Sequence, residues 1–307
     1  MQKIIVYSPA SVANIVCGFD ILGFAIDSPF DKMVIHKTKK RGVTIINKDN
    51  YGLPVEPSKN VIGAALLAML EEVPAGTGFI VESTKGIKPG SGIGSSAASA
   101  AGAVVGANHL LFNRFTKREL VNFAMSGEEV ASGSRHADNI APCIYGGVTL
   151  IRSAGELDIV SIPSPELFIS ILHPQIEVKT SEARNMLSKN VSMKDATIQW
   201  GNVAGLIAGF MKRDYQLIGR SMEDVIVEPV RSTLIPGFAE VKRKCMEAGA
   251  LGGGISGSGP SIFMFCQSKE TAEDVELAMI NVYKDMNIKF ITYVTNINKE
   301  GIRISEN

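Results

Sequence analysis

Apolar positions follow two rhythms along this chain. Runs rich in Ile, Val and Phe, one of them alternating with polar residues, predict strands at Lys3–Tyr7, Lys32–Lys37, Val43–Ile46 and Gly78–Ser83. Between the last two, Val61, Ala64, Ala65, Ala68 and Met69 recur at helical spacing and predict a helix over Asn60–Glu72. Helices are expected next at about Ser95–Leu111 and Thr116–Ser132, then strands at Gly147–Ile151 and Leu157–Ile162. Pro163 and Pro165 mark a joint. Beyond it the pattern predicts strands at Leu167–Leu172, Ser261–Cys266 and Lys289–Asn296. Helices are predicted near Ser181–Ser188, Asp195–Arg213, Gly237–Glu247 and Lys269–Asp285. Strands and helices mix without strict alternation, which implies an α+β fold of two domains, 1–165 and 166–307.

Composition supports that picture. At roughly 150 residues per domain, 307 residues suggest two domains with a sizeable core. Hydrophobic residues at 45% and charged residues at 20% exclude a disordered or collagen-like chain. Thirty-one basic residues balance 31 acidic ones, which argues against a nucleic-acid partner. Cys17, Cys143, Cys245 and Cys266 are scattered, and neither they nor the four histidines show metal or disulfide spacing. The first residues are too short a run for a signal-peptide core. The longest small-apolar stretch, Ala97 to Leu111, is broken by Ser99, Asn108 and His109 and cannot span a bilayer. A soluble, cytoplasmic chain without a membrane partner is expected.

Chemistry is concentrated in Lys85-Gly-Ile-Lys-Pro-Gly-Ser-Gly-Ile-Gly-Ser-Ser-Ala-Ala98, between a predicted strand and a small-residue helix. Gly90, Gly92 and Gly94 let the backbone turn tightly and approach a ligand. Ser95 and Ser96 follow at the helix amino end, where free N–H groups and the dipole favour an anion. Such a loop is a phosphate cradle. A plainer reading is a flexible connection in which Ser95 caps the helix. The dinucleotide pattern G-x-G-x-x-G fails at Ser95, and no Gly-Lys-Ser/Thr closes a Walker loop.

This loop resembles the Pro-x-Gly-x-Gly-Leu-Gly-Ser-Ser-Ala signature of the small-molecule kinases that include galactokinase, homoserine kinase, mevalonate kinase and phosphomevalonate kinase. Ser8-Pro-Ala-Ser-Val-Ala-Asn-Ile-Val-Cys-Gly-Phe-Asp20 is similar to their amino-terminal motif, and Gly252-Gly-Gly-Ile-Ser-Gly-Ser-Gly-Pro-Ser261 to their carboxy-terminal glycine motif. Three motifs in the family order span nearly the whole chain. The resemblance implies a ribosomal-protein-S5-like amino domain that binds ATP and a ferredoxin-like carboxy domain. It also implies ATP and Mg2+ as cofactors, and a homodimer as the common assembly.

Within the superfamily, the details resemble the homoserine kinases: Ala13 to Asp20, His136 to Pro142, Thr180-Ser-Glu-Ala-Arg184, Glu228-Pro-Val-Arg231 and Leu234-Ile-Pro236. The implied reaction is ATP-dependent phosphorylation of L-homoserine to O-phospho-L-homoserine in threonine biosynthesis. Two alternatives stand beside it: the same chemistry on mevalonate or a sugar, and a non-catalytic ligand sensor. Arg184 and Arg231 suit an α-carboxylate, which guanidinium groups bind in a bidentate manner. Asn14 and Asp20 suit the α-ammonium, and the resemblance adds Thr180 and Gly257 to the acceptor site. It places adenine near Asn60, Val61 and Lys85, and phosphates along Pro89, Gly90, Ser91, Gly92, Ile93, Gly94, Ser95, Ser96 and Ala97. Ser96 and Glu128 become the magnesium ligands, with Glu129 as the neighbour competing for that role. Ser11 stands where mevalonate kinases carry a lysine, and Asn139 where they carry an aspartate base. Asn139 joins Ser96 and Glu128 as the catalytic set, leaving Asp138 as the rival carboxylate.

Overall fold

The structure is a computed structural model and describes residues 3–306. Two antiparallel-dominated sheets carry it. The first is seven-stranded, ordered β11-β1-β2-β4-β3 with β5 on β2 and β6 on β5. Its strands are β1 (Lys3–Ala13), β2 (Leu22–Thr38), β3 (Gly42–Asn47), β4 (Gly78–Thr84), β5 (Val148–Ser153), β6 (Asp158–Ile162) and β11 (Arg303–Glu306). β1 and β2 are longer than the hydrophobic runs predict, because they continue past Pro9 and Pro29. Pairing there shifts register, from Pro9 opposite Phe30 to Ala10 opposite Ile26. Proline lacks a ladder donor and is tolerated at such an irregularity. The upper part of β2 holds β4, and its lower part holds β5.

Helices α1 (Val61–Glu71), α2 (Ser95–Leu110) and α3 (Lys117–Ser132) pack on one another, and α2 lies on β1 and β2. α1 starts at Asn60, whose side chain accepts from Ile62 N–H. A capping box between Thr116 and Glu119 starts α3. α2 is buried almost along its whole length, and its alanines bring the helix close to the sheet. The six-residue α4 (Ile140–Tyr145) follows α3 and was not legible as a helix, being too short for periodicity.

The second sheet, four-stranded and antiparallel, runs β10-β7-β9-β8. The chain enters it at β7 (Phe168–Pro174) and then forms α5 (Thr180–Asn185), α6 (Met193–Lys212), α7 (Tyr215–Ser221), α8 (Glu228–Arg231) and α9 (Phe238–Glu247). It returns through β8 (Gly252–Ile255), β9 (Ile262–Cys266), α10 (Lys269–Tyr283) and β10 (Phe290–Asn296). Taken by strands and intervening helical segments, this is the β-α-β-β-α-β order of a ferredoxin-like unit. β11 then crosses back to pair with β1, so the last strand lies in the first sheet. The two sheets share a core: the Phe24 ring sits 5.6 Å from Phe263 and 5.0 Å from Phe265. Among the described residues, no helix is long and apolar enough to cross a membrane.

Candidate active site

A cleft of about 590 Å³ is lined from both halves of the chain. One wall is the turn from Pro89 to Ser96, entering α2 with Gly94 as its N-cap. Gly90, Gly92 and Gly94 all have positive φ, the backbone region glycine tolerates. The carboxy-terminal glycine motif braces this turn from behind. Ser256 Oγ donates to Gly92 O at 2.7 Å, and Ser261 Oγ donates to Ser91 O at 2.6 Å.

Beneath the turn lies a buried ion pair. The Lys85 ammonium contacts Asp31 and donates to Ser95 O at 2.9 Å and Ser99 Oγ at 2.8 Å. Asp31, fully buried, also accepts from Gly86 N–H and Ile87 N–H, both at 3.0 Å. Lys85 therefore lines the cleft while its charge is committed to holding the loop. Its place on the cleft wall is compatible with adenine lying near it, while its ammonium is engaged by Asp31, Ser95 O and Ser99. Asn60 likewise lines the cleft, but its amide caps α1 and donates to Pro54 O. Val61 lines it directly.

Two of the expected phosphate residues turn their side chains away from the cleft, which leaves their backbone to meet a ligand. Ile93 and Ala97 point into the core, 1% and 0% exposed, because α2 buries that face against its neighbours. Ser95 lines the cleft, yet its hydroxyl donates to Ile87 O at 2.9 Å and closes the turn. Ser91 and Ser96 remain, with Ser91 Oγ buried and without a partner.

Glu128, not Glu129, is the carboxylate brought to the cleft. Glu129 is exposed and pairs with Arg135 at 3.2 Å. Burial pushes the Glu128 carboxyl above its ordinary range, opposed by a hydrogen bond from Ser96 and the charge of Lys85. Its Oε1 is buried and unpartnered, so the side chain is one oxygen short of satisfaction.

At the opposite end, Asn14, Asp20, Arg184, Arg231 and Gly257 converge. Arg184 grips Asp20 with two parallel bonds, Nη1 to Oδ2 at 2.9 Å and Nη2 to Oδ1 at 2.8 Å. Asn14 holds the backbone of both motifs: its Nδ2 donates to Gly257 O at 2.9 Å, and its Oδ1 accepts from Asp20 N–H at 3.0 Å. Arg231, only 3% exposed, donates to Gly257 O at 3.1 Å and Ala183 O at 3.3 Å. Thr180 meets Ser258 at 3.1 Å at the rim. Asp138 and Asn139 line the floor between the two ends. Burial, then the nearby Asp20 and Glu128 carboxylates, push Asp138 up to about 7.

Two contributors were missed in the sequence. Phe19 lies beside both guanidiniums, 5.2 Å from Arg184 and 4.9 Å from Arg231. Its place between Gly18 and Asp20 in the first motif is the only signal that could have found it. His136 lines the cleft with an unpartnered Nε2, and burial lowers its basicity, opposed by the Asp20 carboxylate.

Residues 60–147 match the GHMP kinases N terminal domain, and residues 206–285 match the GHMP kinases C terminal family. The homoserine kinase of Chlorobium phaeobacteroides is 46% identical over 319 aligned positions, covering 99% of this chain and 100% of the relative. That of Methanocella arvoryzae is 38% identical over 304 positions, covering 99% and 98%. The crystal structure of homoserine kinase from Cytophaga hutchinsonii superposes with a TM-score of 0.95 at 47% identity, covering 99% and 98% of the two chains. At 16% identity and a TM-score of 0.70, a mevalonate kinase from L. major shares the fold alone. Similarity of this extent, over the full chain and all three glycine-bearing motifs, shows that the chain belongs to the homoserine kinase family and has the two-domain GHMP kinase fold.

Proposed function

We propose that this protein transfers the γ-phosphoryl group of ATP to the side-chain hydroxyl of L-homoserine, giving O-phospho-L-homoserine and ADP. One observation carries the reading: a single cleft has a glycine-lined helix amino terminus at one end and the Asp20–Arg184 pair with Arg231 at the other. The first suits a phosphate chain. The second suits a zwitterion, with guanidinium groups for its carboxylate and Asp20 for its ammonium. A sugar offers no carboxylate, and mevalonate offers no ammonium.

In the transfer, the homoserine hydroxyl oxygen bonds to the γ-phosphorus as the bridging oxygen of ADP leaves with its electron pair. The hydroxyl proton passes to a phosphoryl oxygen and then to water. Phosphoryl transfer of this loose kind needs positioning and charge neutralisation more than a strong base. The loop backbone at Gly90, Ser91, Gly92 and Gly94 holds the phosphates, Asn139 aims the hydroxyl, and Asn14 with Gly257 sets the acceptor end. Ser96 and the unpartnered Oε1 of Glu128 fit magnesium, which takes one or two protein oxygens together with phosphate oxygens. When bound there, the ion neutralises phosphate charge. The four cysteines are all free and buried, which fits a reducing, cytoplasmic setting. The chain divides at residue 165 into an ATP-binding half and a ferredoxin-like half, the second returning β11 to the first.

The test is ADP release with magnesium-ATP against homoserine, serine, threonine, mevalonate and galactose in parallel. Homoserine is expected to be turned over far faster than the rest. Preference for mevalonate or galactose, or no release with homoserine, overturns the reading.

A further inference from the structure

Three segments far apart in sequence meet at one hydrogen bond at the edge of the cleft. Ser11 is fully buried on β1, and its Oγ donates to Asn139 Oδ1 at 2.8 Å. Its backbone N–H donates to Ile93 O at 3.2 Å, so the same residue also ties β1 to the phosphate loop. Gly94 completes the junction. A Cβ there would overlap Ser11 Oγ and lie 3.0 Å from Asn139 Oδ1, and its φ is +69°. Only glycine leaves room for the bond and accepts that backbone angle at little cost.

Asn139 stands at the N-cap of α4, where asparagine usually turns back to accept from the first free N–H groups. No such bond forms here. The side chain is freed from the helix and held by Ser11 instead. An amide has an acceptor oxygen and an NH₂ with two donor hydrogens, in groups of nearly equal size. Ser11 engages the oxygen, while Nδ2 has no protein partner among the described residues and Asn139 lines the cleft. The donor end is therefore the end on offer.

We infer that Ser11 is a positioning residue for phosphoryl transfer: it locks the Asn139 amide with its NH₂ toward the reacting oxygens, so that Asn139 steers them by donating hydrogen bonds. The inference rests on the role proposed above for Asn139 and specifies which end of the amide meets the substrates. Without Ser11 the amide is free to turn over, and it presents its acceptor oxygen for part of the time. Because Ser11 also contacts the loop through its backbone, which every variant retains, the side chain can be tested separately.

The experiment is a double-mutant cycle of Ser11→Ala and Asn139→Ala, read in steady-state kinetics with homoserine and magnesium-ATP. Ser11→Ala is expected to lower kcat by about tenfold, less than the roughly hundredfold cost of a 1 Å misplacement because the amide still presents its NH₂ for part of the time, while both KM values stay within about twofold. In the Asn139→Ala background the same change is expected to cost nothing further, since Ser11 then has no amide to hold. Ser11→Thr, which keeps the hydroxyl, is expected to restore kcat. Losses that multiply in the double variant, or a Ser11→Ala enzyme with unchanged kcat, overturn the inference. Should Ser11→Ala fail to fold, Ser11→Cys supplies the comparison: its weaker donor lowers kcat in the wild-type background and not in Asn139→Ala. A wild-type protein inactive on homoserine but active on another acceptor would overturn the proposed substrate, and the cycle would then be read with that acceptor.

Discussion

Asp138 is a carboxyl group held out of water between two others, and its titration near neutrality follows from that placement. Its folded value of about 7 stands above the ordinary value of an aspartate in an unfolded chain, roughly 3.9. The folded state therefore holds a proton that the unfolded state has released, and stability falls as pH rises between those two values. Asp138→Asn removes the titration. The variant is expected to lose that slope and to exceed the wild type above pH 7, by on the order of 1–4 kcal/mol. Urea midpoints at pH 5 and pH 8 measure it, and an unchanged slope would mean that Asp138 is ionised at low pH in the native state. Turnover of the same variant addresses the proton. Removing a general base typically costs ~10²–10⁴ in rate, so a loss of that size with both KM values intact would make Asp138 the base in place of unassisted transfer. The arginines give a second residue-level test. Arg184→Ala is expected to raise KM for homoserine roughly ten- to hundredfold and to leave KM for ATP nearly unchanged, as suits loss of a charge-assisted bond of about 1.5–3 kcal/mol. Homoserine methyl ester, used as well as homoserine by the wild type, would count against the clamp. Arg231 is too buried for the same experiment to be clean, since its truncation also strips a donor from Gly257 O.

At the scale of elements, the phosphate turn shows that its glycines do different jobs. A Cβ on Gly92 would overlap the backbone oxygen of Gly259, so substitution there separates two loops rather than merely blocking a ligand. Gly90 has open space around it and lines the cleft. Gly90→Ala costs roughly 1–2 kcal/mol in backbone strain at its positive φ, but it meets no protein atom. It is expected to weaken an ATP analogue at least about tenfold in calorimetric titration with the fold retained, whereas Gly92→Val is expected to lower the melting temperature as well. Equal affinity in Gly90→Ala would remove the backbone cradle from the proposal. The same loop shows what was legible in the sequence. Its glycine spacing located the phosphate end, and the long periodic helices α1, α2, α3, α6 and α10 matched their predicted positions to within a few residues. β8 was not legible, because Gly252-Gly-Gly reads as a turn and becomes a strand only by pairing with β9. That the Ile93 and Ala97 side chains face the core was not legible, because the direction of a side chain depends on packing that spacing does not encode. The commitments of Lys85 and Ser95 were hidden for the same reason: their partners Asp31 and Ile87 O come from tertiary contacts.

For the whole molecule, the decisive fact is how thoroughly its halves are joined. One hydrophobic cluster runs from Ile4 on β1 through Phe24 to Ile169, Phe210, Phe263 and Phe265, with no break at the proline joint. Ser256 and Ser261 hold the phosphate turn from the other half, Arg184 holds Asp20, and β11 closes the free edge of β1. A second cluster around Val241, Val275 and Tyr283 lies within the carboxy half alone. Two separable domains would unfold in two steps, but here the cleft and the larger core both belong to the junction. The chain is therefore expected to melt in one cooperative transition, with calorimetric and van't Hoff enthalpies in agreement. An ATP analogue at a hundred times its dissociation constant is expected to shift that single transition upward, by about 2.7 kcal/mol of added stability. A fragment ending at residue 165 lacks β11 and exposes the edge of β1 together with half of the shared core, so it is expected to aggregate rather than bind nucleotide. Scanning calorimetry of the full chain decides the matter. Two resolved peaks, of which nucleotide moves only the first, would show that the amino-terminal half folds and binds on its own and that the junction is an interface between independent domains.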